Sequence, residues 1–291
     1  MKFFFFKFIL FFTAALPLKT IHQLGVFMGV LSWKSNSRIR RIAEKNIQLC
    51  FPELDSLQQN ALVKKTLGET GKVILETGKM WSGNTASTLS LVKEVENQHL
   101  IDTALKNKRG VIIAMPHYGS WEIASLYCAN HYPMTTMYAP QPDEKINQLI
   151  QQARQRTGAT LVPTDNSGIR ALSKALKQGE AISILPDQSP KNNGMFAPFF
   201  GHACYTMTLL SKLANKNNAC VIFTYAKRLE DDSGFKLVFR EASRDLATLP
   251  LEESVVEMNL NIEKLIRETP HQYQWTYKRF KEQPKGAPSV Y

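Results

Sequence analysis

His117 and Glu122 lie in the stretch VIIAMPHYGSWEIA, residues 111 to 124, and are residue types suited to moving protons. Histidine is the side chain whose ordinary pKa lets it gain and lose a proton near neutrality. A carboxylate bonded to one ring nitrogen fixes the tautomer and stabilises the imidazolium formed in reaction. His117 follows the apolar run 111–115, which reads as a buried strand. In open α/β sheets, sites form beyond the carboxyl ends of strands. Gly119 and Ser120 permit a tight turn into a helix whose first turn holds Glu122, so the pair can face one cleft. The expectation is a general base, His117, oriented by Glu122. The alternative is a histidine satisfied in the core and a glutamate on a solvated helix face. HxxxxE is not the HExxH of zinc peptidases, and GxSxG, GxGxxG and GxxxxGK[ST] are absent, so neither metal nor nucleotide cofactor is implied.

A scaffold has to hold that pair. From Val92 onward, short apolar runs alternate with amphipathic segments: strands at 111–115, 134–138, 160–162, 181–185 and 220–228, with helices at 119–130, 143–157, 167–178 and 206–216. This alternation implies crossover units and a mostly parallel central sheet flanked by helices, an α/β fold. FKLVFR (235–240) adds a strand beside 220–228, and 251–268 is a final amphipathic helix. Upstream, 35–50 and 57–81 read as helices, with Asp55 or Ser56 capping the second. Gly68, Gly71 and Gly78 in that second helix mark close packing against another helix or lipid. Asp187 and Gln188 follow the strand AISIL directly, at the same sheet edge as His117; a turn or cap role for Asp187 stays open.

The first 33 residues are different in character. MKFFFFKFILFFTAAL and PLKTIHQLGVFMGVLSW are apolar to Trp33, interrupted by Lys7, Lys19 and His22. A cleaved signal peptide and a retained membrane anchor compete. The anchor is favoured because apolar character resumes beyond any cleavage point. Lys34, Arg38, Arg40, Arg41 and Lys45 would hold this end on the cytoplasmic side. The expected organisation is an anchor over 1–33 and a domain over 34–291, its part 34–90 helical and 91–291 the α/β core. The formal charge of +11 over 291 residues favours anionic partners. No nucleic-acid-binding signature stands out, so headgroups or an acidic carrier protein are preferred. Four scattered cysteines without CxxC give no disulfide framework.

MPHYGSWE resembles the histidine–acidic motif of the glycerolipid acyltransferase superfamily. Within it, the chain is similar to the late (lauroyl/myristoyl-type) acyltransferases of lipid A biosynthesis. LPLKTIHQLG, RIAEKNIQLCFPEL, ETGKVILETGKMW, ILPDQSPKNNGMFAPFFGHACYTMTLL and QYQWTYKRFKEQPKG match further family blocks in order, from about Leu16 to Gly286. The resemblance implies O-acyl transfer from an acyl carrier protein thioester to a hydroxyl of a phosphorylated glycolipid, a lipid A precursor. The implied location is the bacterial inner membrane, with the active site on its cytoplasmic side. Another lipid acceptor, such as a lysophospholipid, an aminolipid or a different glycolipid, is the alternative.

The resemblance places Arg154 near the cleft, where arginine would bind phosphate bidentately; Arg170 is a second candidate. The bland alternative is a solvated arginine. Asp187 and Gln188 resemble the family's acidic third block and are expected to bind substrate. Phe196, Phe199 and Phe200, with Gly194 and Gly201, suggest a loop lining an acyl groove, with core packing as the alternative. Backbone N–H groups near Gly119 are the expected oxyanion donors. Tyr277 stands where the family often has His, and is expected outside the catalytic groups. Lys278, Arg279 and Lys281 would meet the carrier protein or the substrate's phosphates.

Overall fold

A computed structural model describes the chain from Lys2 to Tyr291, apart from the side chains of Lys2, Phe3 and Phe5. The start of the expected anchor over 1–33 therefore lies partly outside the described residues. In chain order the elements are α1 (Lys2–Ala15), α2 (Leu18–Lys34), α3 (Arg38–Cys50), α4 (Ser56–Ser82), α5 (Thr85–Leu89), β1 (Val92–Glu96), α6 (His99–Lys106), β2 (Val111–Ala114), α7 (Trp121–His131), β3 (Met134–Tyr138), α8 (Glu144–Gln155), β4 (Thr160–Pro163), α9 (Asn166–Lys177), β5 (Ala181–Ile184), β6 (Gly194–Phe199), β7 (His202–Met207), α10 (Leu209–Asn217), β8 (Cys220–Arg228), β9 (Phe235–Glu241) and α11 (Leu251–Glu268).

Seven strands form one sheet in the order β1-β9-β8-β2-β5-β3-β4. Pairings are parallel except β8 with β9, which run antiparallel. All four residues of β2 are buried, and they alternate between two apolar clusters. Ile112 and Ala114 join Leu172, Leu210 and Ile262 on one face, while Val111 and Ile113 join Ile101, Ile123 and Leu126 on the other. Helices cover both faces, which is why the inner strands read as continuous apolar runs instead of alternating ones.

The N-terminal segment differs from a single anchor. Pro17 separates α1 from α2, and no helix among the described residues is long and apolar enough to cross a membrane. Both helices lie along α4, and glycines of α2 and α4 are the reason they fit. A side chain at Gly25 would collide with the Lys72 backbone, one at Gly29 with Gly68, and one at Gly78 with α1 at Leu10 and Thr13. The packed side of α2 carries His22, fully buried, and its other side is apolar and open, with Phe27 59 % exposed. Asp55 caps α4 in a reciprocal box with Gln58.

His22 is buried inside an ionic cluster. Its Nδ1 lies 2.6 Å from Asp232 and its Nε2 2.7 Å from Glu76. Arg228, at the end of β8, donates to both Glu76 oxygens and to Glu69, and Lys72 pairs with Glu69 and Asp232. The cluster joins α2, α4 and the β8–β9 hairpin, and so ties the N-terminal helices to the sheet.

Candidate active site

The geometry begins with strand register. β2 and β5 are parallel neighbours with Ala114 opposite Ile184. Three residues beyond each strand end come His117 and Asp187, so register alone sets them side by side. The Asp187 carboxylate accepts from the His117 backbone N–H and from ring Nδ1, both at 2.9 Å. Burial pushes the Asp187 pKa up, but the His117 charge and bonds, with Arg279 behind, outweigh it and hold the carboxyl below its usual value. The Tyr273 hydroxyl lies beside the same carboxylate; burial, then that charge, keep the phenol protonated far above its ordinary range.

The ring is therefore held by Asp187 and not by Glu122, which corrects the expected pairing. Gly119 adopts φ +63° and is pressed against the Ala226 carbonyl, where a side chain would clash, so the chain reverses before α7 begins. Glu122, in the first turn of α7, then faces α4 and α8. It accepts from Trp81 Nε1 at 3.1 Å and forms a two-bond ion pair with Arg154 Nη2 and Nε. Burial raises the Glu122 pKa, but Arg154 and Trp81 win, leaving the carboxyl below its usual value.

With Nδ1 donating to Asp187, Nε2 carries the lone pair. Gln188 Nε2 donates to it at 3.2 Å and to Gln274 Oε1 at 3.1 Å. Trp121 stands edge-on to the His117 ring, with centroids 5.0 Å apart. The ring is the partly open member of the group, its side chain 15 % exposed against 2 % for Asp187. A base with a fixed tautomer, its other nitrogen held by an exchangeable amide hydrogen bond, can draw a proton from an incoming hydroxyl.

Several other expected roles change. Asp187 and Gln188 were expected to bind substrate; both instead bond the His117 ring. Arg154 spends its guanidinium on Glu122, which removes it as an unengaged phosphate ligand. Arg170 is exposed near the start of α9 and bonds none of these groups. The acyl-groove loop is a β-hairpin, β6 with β7. Phe199 and Phe200 are core residues packed against each other and against Phe280 and Trp275, while Phe196 is 40 % exposed beside Tyr205. The N–H groups around Gly119 are engaged: Tyr118 donates to Pro116 O, Gly119 to Gln272 O and Ser120 to Ala226 O. They are not oxyanion donors in this arrangement.

The C-terminal stretch, unlike its reading from sequence, closes the site. Gln274 N donates to His117 O, and Ser189 N to the Tyr277 hydroxyl at 3.1 Å, so Tyr277 braces the loop that carries Gln188. Arg279 is buried, with bonds to Tyr205 O and Thr206 Oγ1, and does not face a partner. Lys278 and Lys281 rest over the Tyr291 and Tyr277 rings. Gln274 carried no signal of its own in the sequence; only its place in an aromatic, basic tail could have pointed to it.

The family model described as bacterial lipid A biosynthesis acyltransferase matches residues 1–282. The chain is 27 % identical to a lipid A biosynthesis lauroyltransferase of Escherichia coli (strain K12), over 97 % of this chain and 92 % of that one. It is 28 % identical to the palmitoleoyltransferase of the same organism, over 95 % and 90 %, and 24 % identical to its myristoyltransferase, over 92 % and 82 %. A family match across nearly the whole length makes this chain an acyltransferase of the bacterial lipid A biosynthesis family.

Proposed function

We propose that the protein transfers a fatty acyl chain from an acyl carrier protein thioester to a hydroxyl of a lipid A precursor. The observation that carries the reading is the partly exposed His117 ring, its Nδ1 on Asp187 and its Nε2 lone pair held by the Gln188 amide. An acceptor hydroxyl displaces the Gln188 amide and gives its proton to Nε2 as its oxygen attacks the thioester carbonyl. The C–O bond forms, the C–S bond breaks, and the imidazolium returns the proton to the departing thiolate. Asp187 holds the ring and offsets its charge throughout. Glu122 acts as a positioning residue, pinning α7 to Trp81 on α4 and to Arg154 on α8. The test uses membranes lacking endogenous late acyltransferases, supplied with purified protein, acyl carrier protein thioesters and lipid A precursor. A product heavier by one acyl chain is expected with wild type, with a loss of at least about 10³-fold for His117→Ala. Acylation of a lysophospholipid in preference would favour the alternative acceptor.

The same reading puts the protein at the inner membrane, with its site on the cytoplasmic side. The exposed faces of α1 and α2 support it: Phe4, Phe8, Phe12, Phe27 and Leu31 are half or more exposed, and Lys34 and Arg38 stand exposed where α2 gives way to α3. Such a surface lies in the headgroup region without spanning, each buried phenylalanine contributing about 1.5–3 kcal/mol. Phe8→Ser with Phe27→Ser is expected to cut flotation with anionic vesicles at least about tenfold. Unchanged flotation would refute the interfacial placement.

A further inference from the structure

A cleft of about 560 Å³ opens between α1, the end of α4 and α8. That volume is within the range that holds a drug-sized ligand. Its walls combine apolar and cationic groups, Phe11, Trp81 and Leu149 with Lys7, Lys145 and Arg156, and no carboxylate lines it among the described residues. Among the described residues Arg156 bonds oxygens that carry no charge, those of Gly83 O, Lys79 O and Thr88 Oγ1, and meets no carboxylate. Lys79, close by, likewise bonds the Ala14 carbonyl. The cleft adjoins the candidate site through Trp81, whose indole N–H donates to Glu122. Its α1 wall belongs to the helix whose outer face exposes Phe4, Phe8 and Phe12.

A cationic cleft with apolar walls, beside a surface suited to a bilayer, matches one ligand chemistry: an anionic amphiphile entering sideways from the membrane. Arg154 sits two residues before Arg156 on the same chain segment but is taken by Glu122, so the phosphate-binding role expected of it is unfilled. We propose that this cleft receives the phosphate-bearing end of the glycolipid acceptor, with Lys7, Lys145 and Arg156 supplying the charge and Phe11, Trp81 and Leu149 the apolar contact. The assignment rests on the proposed function, and it places the acceptor so that its hydroxyl approaches His117 from the Glu122 side. Lysine contacts of this kind act as point charges and weaken with salt.

The test measures binding of a phosphorylated lipid A precursor, and of the same lipid after phosphatase treatment, to the full chain in detergent micelles. Lys7→Gln with Lys145→Gln is the variant, since both side chains are exposed and leave the core intact; Lys7→Arg with Lys145→Arg is its charge-conserving control, and melting curves check the fold. The double glutamine variant is expected to raise Kd for the phosphorylated lipid about tenfold, leave the dephosphorylated lipid unchanged, and be restored by arginine. Equal weakening for both lipids, no weakening, or no binding of the phosphorylated lipid by wild type would overturn the assignment. A third arm uses phosphatidylglycerol vesicles; weakening confined to them would make the cleft a bilayer contact and also overturn it. Turnover by wild type is read in the same micelles. Charge-dependent binding without acyl transfer would sink the proposed function, leaving the cleft as a site for a phosphorylated lipid that is not an acceptor.

Discussion

Asp187→Asn is expected to lower kcat by about 10³–10⁴-fold with the protein still folded. The substitution keeps the shape of the side chain but puts an amide where Nδ1–H now donates to a carboxylate at 2.9 Å. An amide N–H facing Nδ1 turns the ring to the other tautomer, so Nε2 carries the proton and cannot accept one. The charge that offsets the imidazolium is lost as well. Glu122→Gln should behave differently, because its carboxylate meets Arg154 and Trp81 and not the ring. Its effect should appear first as instability where α4, α7 and α8 meet, since Arg154 is left without its counter-charge. Steady-state kinetics beside melting curves separate the two. Wild-type kcat in Asp187→Asn, with activity abolished in a stably folded Glu122→Gln, would return the ring-holding role to Glu122.

The largest stability effect is expected at Glu76. Among the described residues, Glu76→Gln leaves Arg228 with Glu69 and His22 with the part-exposed Asp232 as their remaining carboxylate partners, while Arg228 and His22 themselves are buried. Breaking a buried ion pair from one side costs about 3–5 kcal/mol. Because the cluster bridges α2, α4 and the β8–β9 hairpin, protease should reach the α1–α2 segment before the sheet. Burial pushes the Glu76 pKa up, yet Arg228 and His22 dominate and lower it from 4.5 to about 2. A folded-state value below the unfolded one stabilises the fold above the unfolded pKa. That contribution is complete above about pH 4.5 and disappears as pH falls toward 2. The stability gap between wild type and Glu76→Gln in urea titrations should therefore be widest above pH 5 and shrink on acidification. A gap constant from pH 6 to pH 3 would rule out Glu76 as the source.

Much of the scaffold was legible because its signals are local. β3 matches the expected 134–138, β8 the expected 220–228 and α11 the expected 251–268. β1 gave no signal: VKEVE is a charged edge strand whose side chains mostly face solvent, so it shows neither an apolar run nor clean alternation. The β6–β7 hairpin was read as a loop because glycine and proline interrupt it and its reversal falls at Phe200, a bulky residue at φ 49°. The helix expected to begin at 206 starts at Leu209, since Thr206 and Met207 belong to β7.

His117 and Asp187 were each visible as chemistry placed just beyond a strand, and Glu122 as a carboxylate one helical turn further on. The sequence by itself determined which segments become strands, which residues end up at their carboxyl ends, and that an acid and a histidine gather there. Partnership was decided only by tertiary structure. Distances between residues on separate elements depend on strand order, register and helix packing, and no spacing along the chain encodes these. β2 beside β5 set Asp187 against the ring, the turn at Gly119 sent Glu122 to Arg154, and the glycines of α2 and α4 brought a lone His22 into a buried ionic cluster.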